Sequence, residues 1–364
     1  MKLTRATRTM TEQQYRGLQG YLNSSAIRDY IKSRMLFYRK YILQEQVREK
    51  TSESILLGNV IHSLIEKTFD DKYVLPMVVP PTGQVLDLTN NLYERTLKAA
   101  KRNENGDLVI TQPFEVLMAD AIYHTCHDYK GERVAFKGKD DSKIIALWEK
   151  DGKDYYDELL QNTEKTVVHE SLLVKAERIV QVAYEHPFTR DIFAEQGDEE
   201  KEIHHEFPIT FDLDEKIKGK ILLDKIVIDQ TNKEIFVYDW KTGWDNEGGF
   251  ISSYLKKGYY LQQAFYRKGL LQWMKDNNMA DYELHHMKYV ALDTTGENSP
   301  LVYEVTNKDY LKALRGFATN NGYEYVGLDD IIEEIKWSID NNIWTHSKQV
   351  QDKRGQLQLD INYL

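Results

Sequence analysis

Two strand-like runs, Gly219 to Asp229 and Glu234 to Lys241, are separated by only Gln230-Thr231-Asn232-Lys233. A link that short favours pairing of the two runs as an antiparallel hairpin. Side chains alternate between the faces of a strand, so Leu222, Asp224, Ile226 and Ile228 share one face of the first run. In the second run Ile235, Val237, Asp239 and Lys241 share a face, and Phe236, Tyr238 and Trp240 share the other. Each aliphatic face therefore carries a carboxylate, and pairing would let Asp224 and Asp239 converge, with Lys241 beside them.

Two carboxylates brought together repel, and the pKa of at least one rises. A divalent cation removes that conflict, and hard oxygen ligands suit Mg²⁺ or Mn²⁺. A lysine two residues from a metal carboxylate can position an attacking water and help deprotonate it. Together with the ion it can neutralise charge developing on a phosphodiester. An isolated Asp-x-Lys is more often a surface ion pair; Asp224 on a paired strand makes the two readings about equal.

The remainder of the chain is compatible with an α/β domain around one mixed sheet. Helical patterns run from Ala26 to about Gln46, from Ser54 to Phe69 and from Thr166 to His186, where Pro187 ends the last. Residues 70–110 are broken by Pro76, Pro80, Pro81 and Gly83, and residues 130–165, nearly all polar, read as loop and exposed helix. Strands are expected over Ile203–Phe211, Met287–Leu292 and Leu301–Val305. A long helix is expected over Tyr254–Asn277, and closing helices over Lys308–Phe317 and Asp329–Asn341. No repeat and no clear domain boundary is visible in the 364 residues. The apolar runs are too short to span a membrane, and the basic amino terminus lacks the apolar stretch of a secretory signal, so a cytoplasmic protein is expected. A lone cysteine, Cys126, cannot form an internal disulfide or hold a four-cysteine cluster. The net charge of −10 argues against a protein that coats nucleic acid, but leaves room for a local basic groove.

Asp224, then Asp239-Trp240-Lys241, then Gln262-Gln263-Ala264-Phe265-Tyr266, resembles the PD-(D/E)XK nuclease superfamily in its RecB-like branch, which carries Gln-x-x-x-Tyr on the following helix. Within it the chain is most similar to the phage-type exonuclease VIII family. The resemblance runs from about Tyr15 to about Ile343, takes in Gly58-Asn59-Val60-Ile61-His62 and His186-Pro187, and is weakest over residues 70–165. Leu223 replaces the proline that names the superfamily. The resemblance implies a restriction-endonuclease-like core, with a mixed central β-sheet flanked by helices and helical additions at the amino terminus. On that reading residues 1–364 form a single nuclease domain: a mostly helical 1–200 with a variable 70–165, the catalytic hairpin and motif helix in 201–280, and closing elements in 281–364. Asp224 and Asp239 would hold Mg²⁺, which Mn²⁺ could replace, the Trp240 carbonyl would add a ligand, and His62 would sit near the metal. Lys241 would orient the water, Glu206 would support the metal site, and Gln262 and Tyr266 would contact DNA or order the site. The implied activity is exonucleolytic degradation of linear double-stranded DNA, 5′→3′, exposing 3′ single strands for an annealing protein in phage-style recombination, in a bacterial or phage-infected cytoplasm. Relatives form rings around DNA, so a homo-oligomer is implied.

Several bland readings stand beside these. His62 lies on a helical stripe with Gly58 and Glu66, where a histidine is commonly structural. Gln262 and Tyr266 share an aromatic stripe with Tyr259, Leu270 and Trp273, and Glu206 could be a solvent-facing strand residue. Lys256 and Lys257 are candidates for phosphate contacts, as are Arg28, Lys32, Arg34, Arg39 and Lys40, although each could equally belong to a solvated face. His124, Cys126, His127 and Asp128 fit no zinc spacing, and the pairs His204-His205 and His285-His286 point to opposite faces of a strand. Two other nucleases of the same fold, an endonuclease and a single-strand nuclease, remain open. So does a non-catalytic module that binds DNA ends or a partner.

Overall fold

The computed structural model describes residues 10–45, 52–103, 107–128, 130–194, 197–198, 200–243 and 247–356. The amino-terminal nine residues and the expected helix end at Gln46 lie outside them. The backbone groups into two compact units, one of residues 1–62 with 178–364 and one of residues 63–177. The stretch 70–165, carried within a single domain in the sequence reading, lies inside the second unit.

The first unit is built on a seven-stranded mixed sheet. Its strands are β1 (Tyr21–Leu22), β2 (Lys201–Asp212), β3 (Lys218–Asp229), β4 (Glu234–Gly243), β5 (Glu283–Leu284), β6 (Lys288–Asp293) and β7 (Leu301–Glu304). β2 and β3 pair antiparallel over their whole length, whereas β4 follows β3 only from Asp229↔Glu234 to Lys225↔Tyr238. At its other end the same edge of β3 takes β1, parallel, at Lys218 and Gly219. The sheet therefore splits between β3 and β4 immediately beyond Lys225, at Asp224 and Asp239. β4 continues alone against β6, parallel, with Asp239 beside Tyr289 and Lys241 beside Ala291.

Helices cover the sheet. Those that bear on the site are α1 (Ser24–Lys32), α2 (Glu53–Ile65), α3 (Gly249–Lys256) and α4 (Tyr259–Asp276). α4 buries Leu261, Ala264, Phe265, Leu270 and Met274 in a core shared with Ile221, Ile226, Ile228, Ile235 and Val237 of the hairpin. From Ile226 onward that is the aliphatic face read from the alternation. Before Asp224 the core takes Ile221 and Leu223 and leaves Leu222 half-buried, so the face switches at Asp224. Burial of these residues supplies most of the driving force for this layer. The long helix expected over 254–277 is two helices. Gly258, at φ +70°, reverses the chain between them in a conformation that costs other residues a Cβ clash. The first expected helix also breaks: Ser33, at ψ 118°, leaves the helical region and caps the next turn through Leu36 N–H at 3.2 Å.

The second unit has its own core, in which Leu88, Leu92, Met118, Ile122, Ile144, Trp148 and Tyr156 pack together. They come from helices Gly83–Ala99, Phe114–Cys126, Asp141–Asp151 and Lys153–Gln161. Residues 130–140 are loop, as expected, but the helices that follow are not simply exposed. Their few apolar residues fall at helical spacing, Ile144 with Trp148 and Tyr155 or Tyr156 with Leu159, and those residues are buried. Among the described residues no helix is long and apolar enough to cross a membrane.

Candidate functional site

Asp224 sits where β3 loses β4 as a neighbour. Its Oδ2 accepts the Trp240 N–H at 2.8 Å, so the carboxylate bridges the split and fixes Asp239, one residue away, beside it. Asp239 is 1% exposed. Its Oδ1 accepts from Gln262 Nε2 at 2.8 Å, and its Oδ2 contacts the Lys241 ammonium. Burial pushes Asp224 up to about 7 and Asp239 up to about 6, against the pull of Lys241; the Asp224 charge raises Asp239 further, and Glu206 does the same for Asp224.

Lys241 lies between Asp239 and two tyrosine rings, with its Nζ 4.8 Å from the Tyr259 centroid and 5.6 Å from that of Tyr289. Burial alone would lower its pKa, but the charges of Asp239 and Asp224 hold it above the usual lysine value, so it is a fixed cation. Tyr289 is fully buried and its hydroxyl donates to the Tyr259 carbonyl at 2.9 Å, which holds the two rings in place. Sequence reasoning missed these roles. Tyr259 reads as part of an aromatic core stripe, and Tyr289 reaches the site only through the β4–β6 pairing, which no local pattern encodes.

His62 Nδ1 is 3.8 Å from Asp224 Oδ2, and the ring also hydrogen-bonds with the Trp240 backbone. Desolvation first, and then the Lys241 charge, lower its pKa, which favours the neutral imidazole. Gly58, one turn earlier on α2, makes this approach possible: a Cβ there would lie 2.6 Å from Thr242 Oγ1 on β4. The Gly58/His62 stripe is therefore a packing face and a site face at once.

Glu206 lies opposite Asp224, between the pairs His205↔Lys225 and Phe207↔Leu223. Its φ of +48° is a left-handed conformation within a strand, which is strained for a residue with a Cβ. Its charge acts on both Asp224 and His62. Gln262 and Tyr266 are both buried. The Tyr266 hydroxyl hydrogen-bonds with Gln262, and the nearby charges of Asp239 and Asp224 add to burial in raising its pKa well above normal. The resulting chain, Tyr266–Gln262–Asp239–Lys241, orders the carboxylate. The Trp240 side chain points away and packs on Phe193, with ring centroids 4.7 Å apart. Lys256 and Lys257 are exposed at the end of α3 and touch none of these residues in any hydrogen bond or ion pair among the described residues.

Asp224 and Asp239 thus face one ammonium and a neutral imidazole, with Glu206 nearby and its charge also felt by Arg16. The donors are mostly hard oxygens and carry surplus negative charge in a buried place, which fits a Mg²⁺-like ion. A second group of donors, Glu234, Glu283 and His285, converges at the opposite end of β4. There His285 stacks on Phe236 at 4.2 Å and bonds to Glu234 at 3.1 Å, so its geometry has a structural explanation. His286 pairs instead with Glu304, at 2.7 Å. Cys126 is buried, and His124 and His127 engage Asp120 and the Tyr123 carbonyl.

No protein-family model matches this chain, and no curated protein matches it. Among solved structures it is similar to a crystal structure of a protein from Eubacterium rectale provisionally named an exonuclease. The identity is 12% and the TM-score 0.45, over 97% of this chain and 95% of that one. What the site can do follows from its own residues.

Proposed function

We propose that this chain is a Mg²⁺-dependent exodeoxyribonuclease that degrades linear double-stranded DNA from its ends, 5′→3′, leaving 3′ single strands for recombination. The observation that carries the nuclease reading is the buried surplus of carboxylate at the β3–β4 split, with a charged lysine held against it. End dependence, polarity, a ring-like homo-oligomer and an annealing partner rest on the resemblance to the exonuclease VIII family.

Asp224 and Asp239, with the Trp240 backbone and with His62 alongside, are the residues that would hold Mg²⁺ or Mn²⁺. A bound ion would polarise the scissile phosphate and offset its developing charge. Lys241 donates from a fixed position, so it can orient a water for in-line attack and neutralise a phosphate oxygen. A P–O bond to water forms and the P–O3′ bond breaks, giving a 5′-phosphate and a 3′-hydroxyl. Gln262 fixes the rotamer of Asp239, and Tyr266 fixes Gln262, so both act through positioning.

The test is digestion of a linear duplex labelled separately at its 5′ and 3′ ends, beside a covalently closed circle. Loss of 5′ label only, survival of the circle, and abolition by EDTA or by Lys241→Ala is the expected result. Cutting of the circle would leave a nuclease but remove end dependence. No cutting with Mg²⁺ or Mn²⁺ would overturn the enzymatic reading in favour of a DNA-binding module.

A further inference from the structure

A cavity of about 950 Å³ lies on the side of α4 away from the carboxylates. Tyr260 and Leu261 line it, whereas Gln262, next in the same turn, bonds to Asp239. In a chain of net charge −10 this cavity collects Arg28, Lys32, Lys40, Lys256 and Lys257 against only Asp29 and Glu324. Asp29 is already neutralised, its Oδ2 lying 2.6 Å from Lys40 Nζ and accepting from the Tyr41 hydroxyl at 3.0 Å. Lys32, Lys256 and Lys257 are exposed and enter no ion pair among the described residues. Arg28 is pinned to the floor: it donates to Ser25 Oγ at 3.0 Å and to the Lys257 carbonyl at 3.3 Å, and its stem fills the space above Gly258 that a Cβ would occupy. Cations gathered in one cavity make its potential positive, and a polyanion is their natural complement.

The opposite wall is aromatic. A small hairpin, Phe317–Ala318 paired with Glu324–Tyr325, stacks Phe317 on Tyr325 and presents Tyr323 5.0 Å from Tyr325. Tyr260 meets Tyr325 edge-on at 5.5 Å and anchors this wall to α4. Tyr323 is 64% exposed, so its ring is accessible to a ligand on the side not packed against Tyr325. Cations and an exposed aromatic ring lining one cavity match a sugar–phosphate backbone with unstacked bases. A duplex keeps its bases stacked on one another and offers no free face to Tyr323.

We infer that this groove binds a single-stranded polynucleotide, with phosphates on Lys32, Lys256 and Lys257 and a base on Tyr323. The binding needs no hydrolysis, so it stands apart from the nuclease reading. Anisotropy of a labelled oligothymidylate in EDTA tests it, beside an abasic sugar–phosphate strand and a duplex of equal length. The oligothymidylate should bind about tenfold more tightly than the abasic strand, the contribution of one stacked base, and tenfold more tightly than the duplex. Tyr323→Ala should erase the preference over the abasic strand while leaving abasic binding intact. Lys32→Glu with Lys257→Glu should weaken both single strands at least tenfold and flatten the salt dependence. Both sites are exposed, so folding should survive. Equal binding of thymidylate and abasic strands, equal binding of the duplex, or indifference to Tyr323→Ala would overturn the inference.

Discussion

Arg95, in the core of the unit 63–177, meets the Asp120 carboxylate at 2.5 Å and the Asn91 carbonyl at 3.1 Å. In the same unit the buried Glu158 accepts the backbone N–H groups of Met77 at 2.5 Å and Val78 at 2.8 Å. Arg95 and Glu158 each have protein partners that use up their charge. In the other unit Asp224 and Asp239 share one ammonium, and burial drives both towards protonation. The first arrangement stabilises a fold. The second stores an unbalanced charge, which is useful only if a cation arrives.

The comparison breaks most visibly at Lys241 and Asp239. Lys241→Ala and Asp239→Asn should each lower duplex cleavage by about a thousandfold in a single-turnover assay, the scale of losing a preorganised electrostatic group. A folded, fully active Asp239→Asn protein would put the chemistry elsewhere. Next, Glu158→Ala should cost about 3 kcal/mol in denaturant unfolding, because two buried N–H groups lose a charged acceptor. The opposite sign is expected at Asp224. Asp224→Asn keeps an oxygen for the Trp240 N–H but removes one of the crowded charges, so in EDTA it should gain about 1 kcal/mol while losing cleavage. Equal destabilisation at Glu158 and Asp224 would erase the distinction between the two units.

The smallest effect sharpens it with a control. Asp293 is a buried carboxylate in the sheet unit whose demands are met locally: it accepts from Thr295, Glu297 and Asn298 backbone N–H groups at 2.7–2.9 Å. Burial opposes ionisation there, but the hydrogen bonds, led by that of the Thr295 hydroxyl, hold its pKa below the usual aspartate value. A depressed pKa stabilises the fold above the unfolded-state value, and that contribution is lost as pH falls through the folded one. Asp293→Asn should therefore cost about 1 kcal/mol at neutral pH and close to nothing in strong acid, as read from paired unfolding curves. A cost that persists in acid would mean the carboxylate charge is irrelevant to the turn.

The hairpin was legible because β structure writes itself into sequence with a period of two. The alternation that sets Ile235 and Val237 in the core also puts Asp239 and Lys241 on the same face, and the short link brings Asp224 to Asp239. The helix over Gly83–Ala99 is written just as plainly, in Val85, Leu88, Leu92 and Ala99, but Pro76, Pro80 and Pro81 make the stretch before it read as a break. The break at Gly258 was harder, since a lone glycine inside an apolar pattern does not announce a positive φ.

Local pattern thus determined which residues form the two central strands, which faces they bury where they pair and which carboxylates could meet. Only the tertiary structure decided what surrounds them. β6 brings Tyr289 beside Asp239, Gly58 lets α2 close on Thr242 so that His62 reaches Asp224, and the turn at Gly258 sets Arg28 against Lys257. The physical reason is range. Strand alternation and helical spacing act over a few residues, whereas pKa shifts, cation–π contacts and basic grooves depend on through-space distances between segments far apart in the chain.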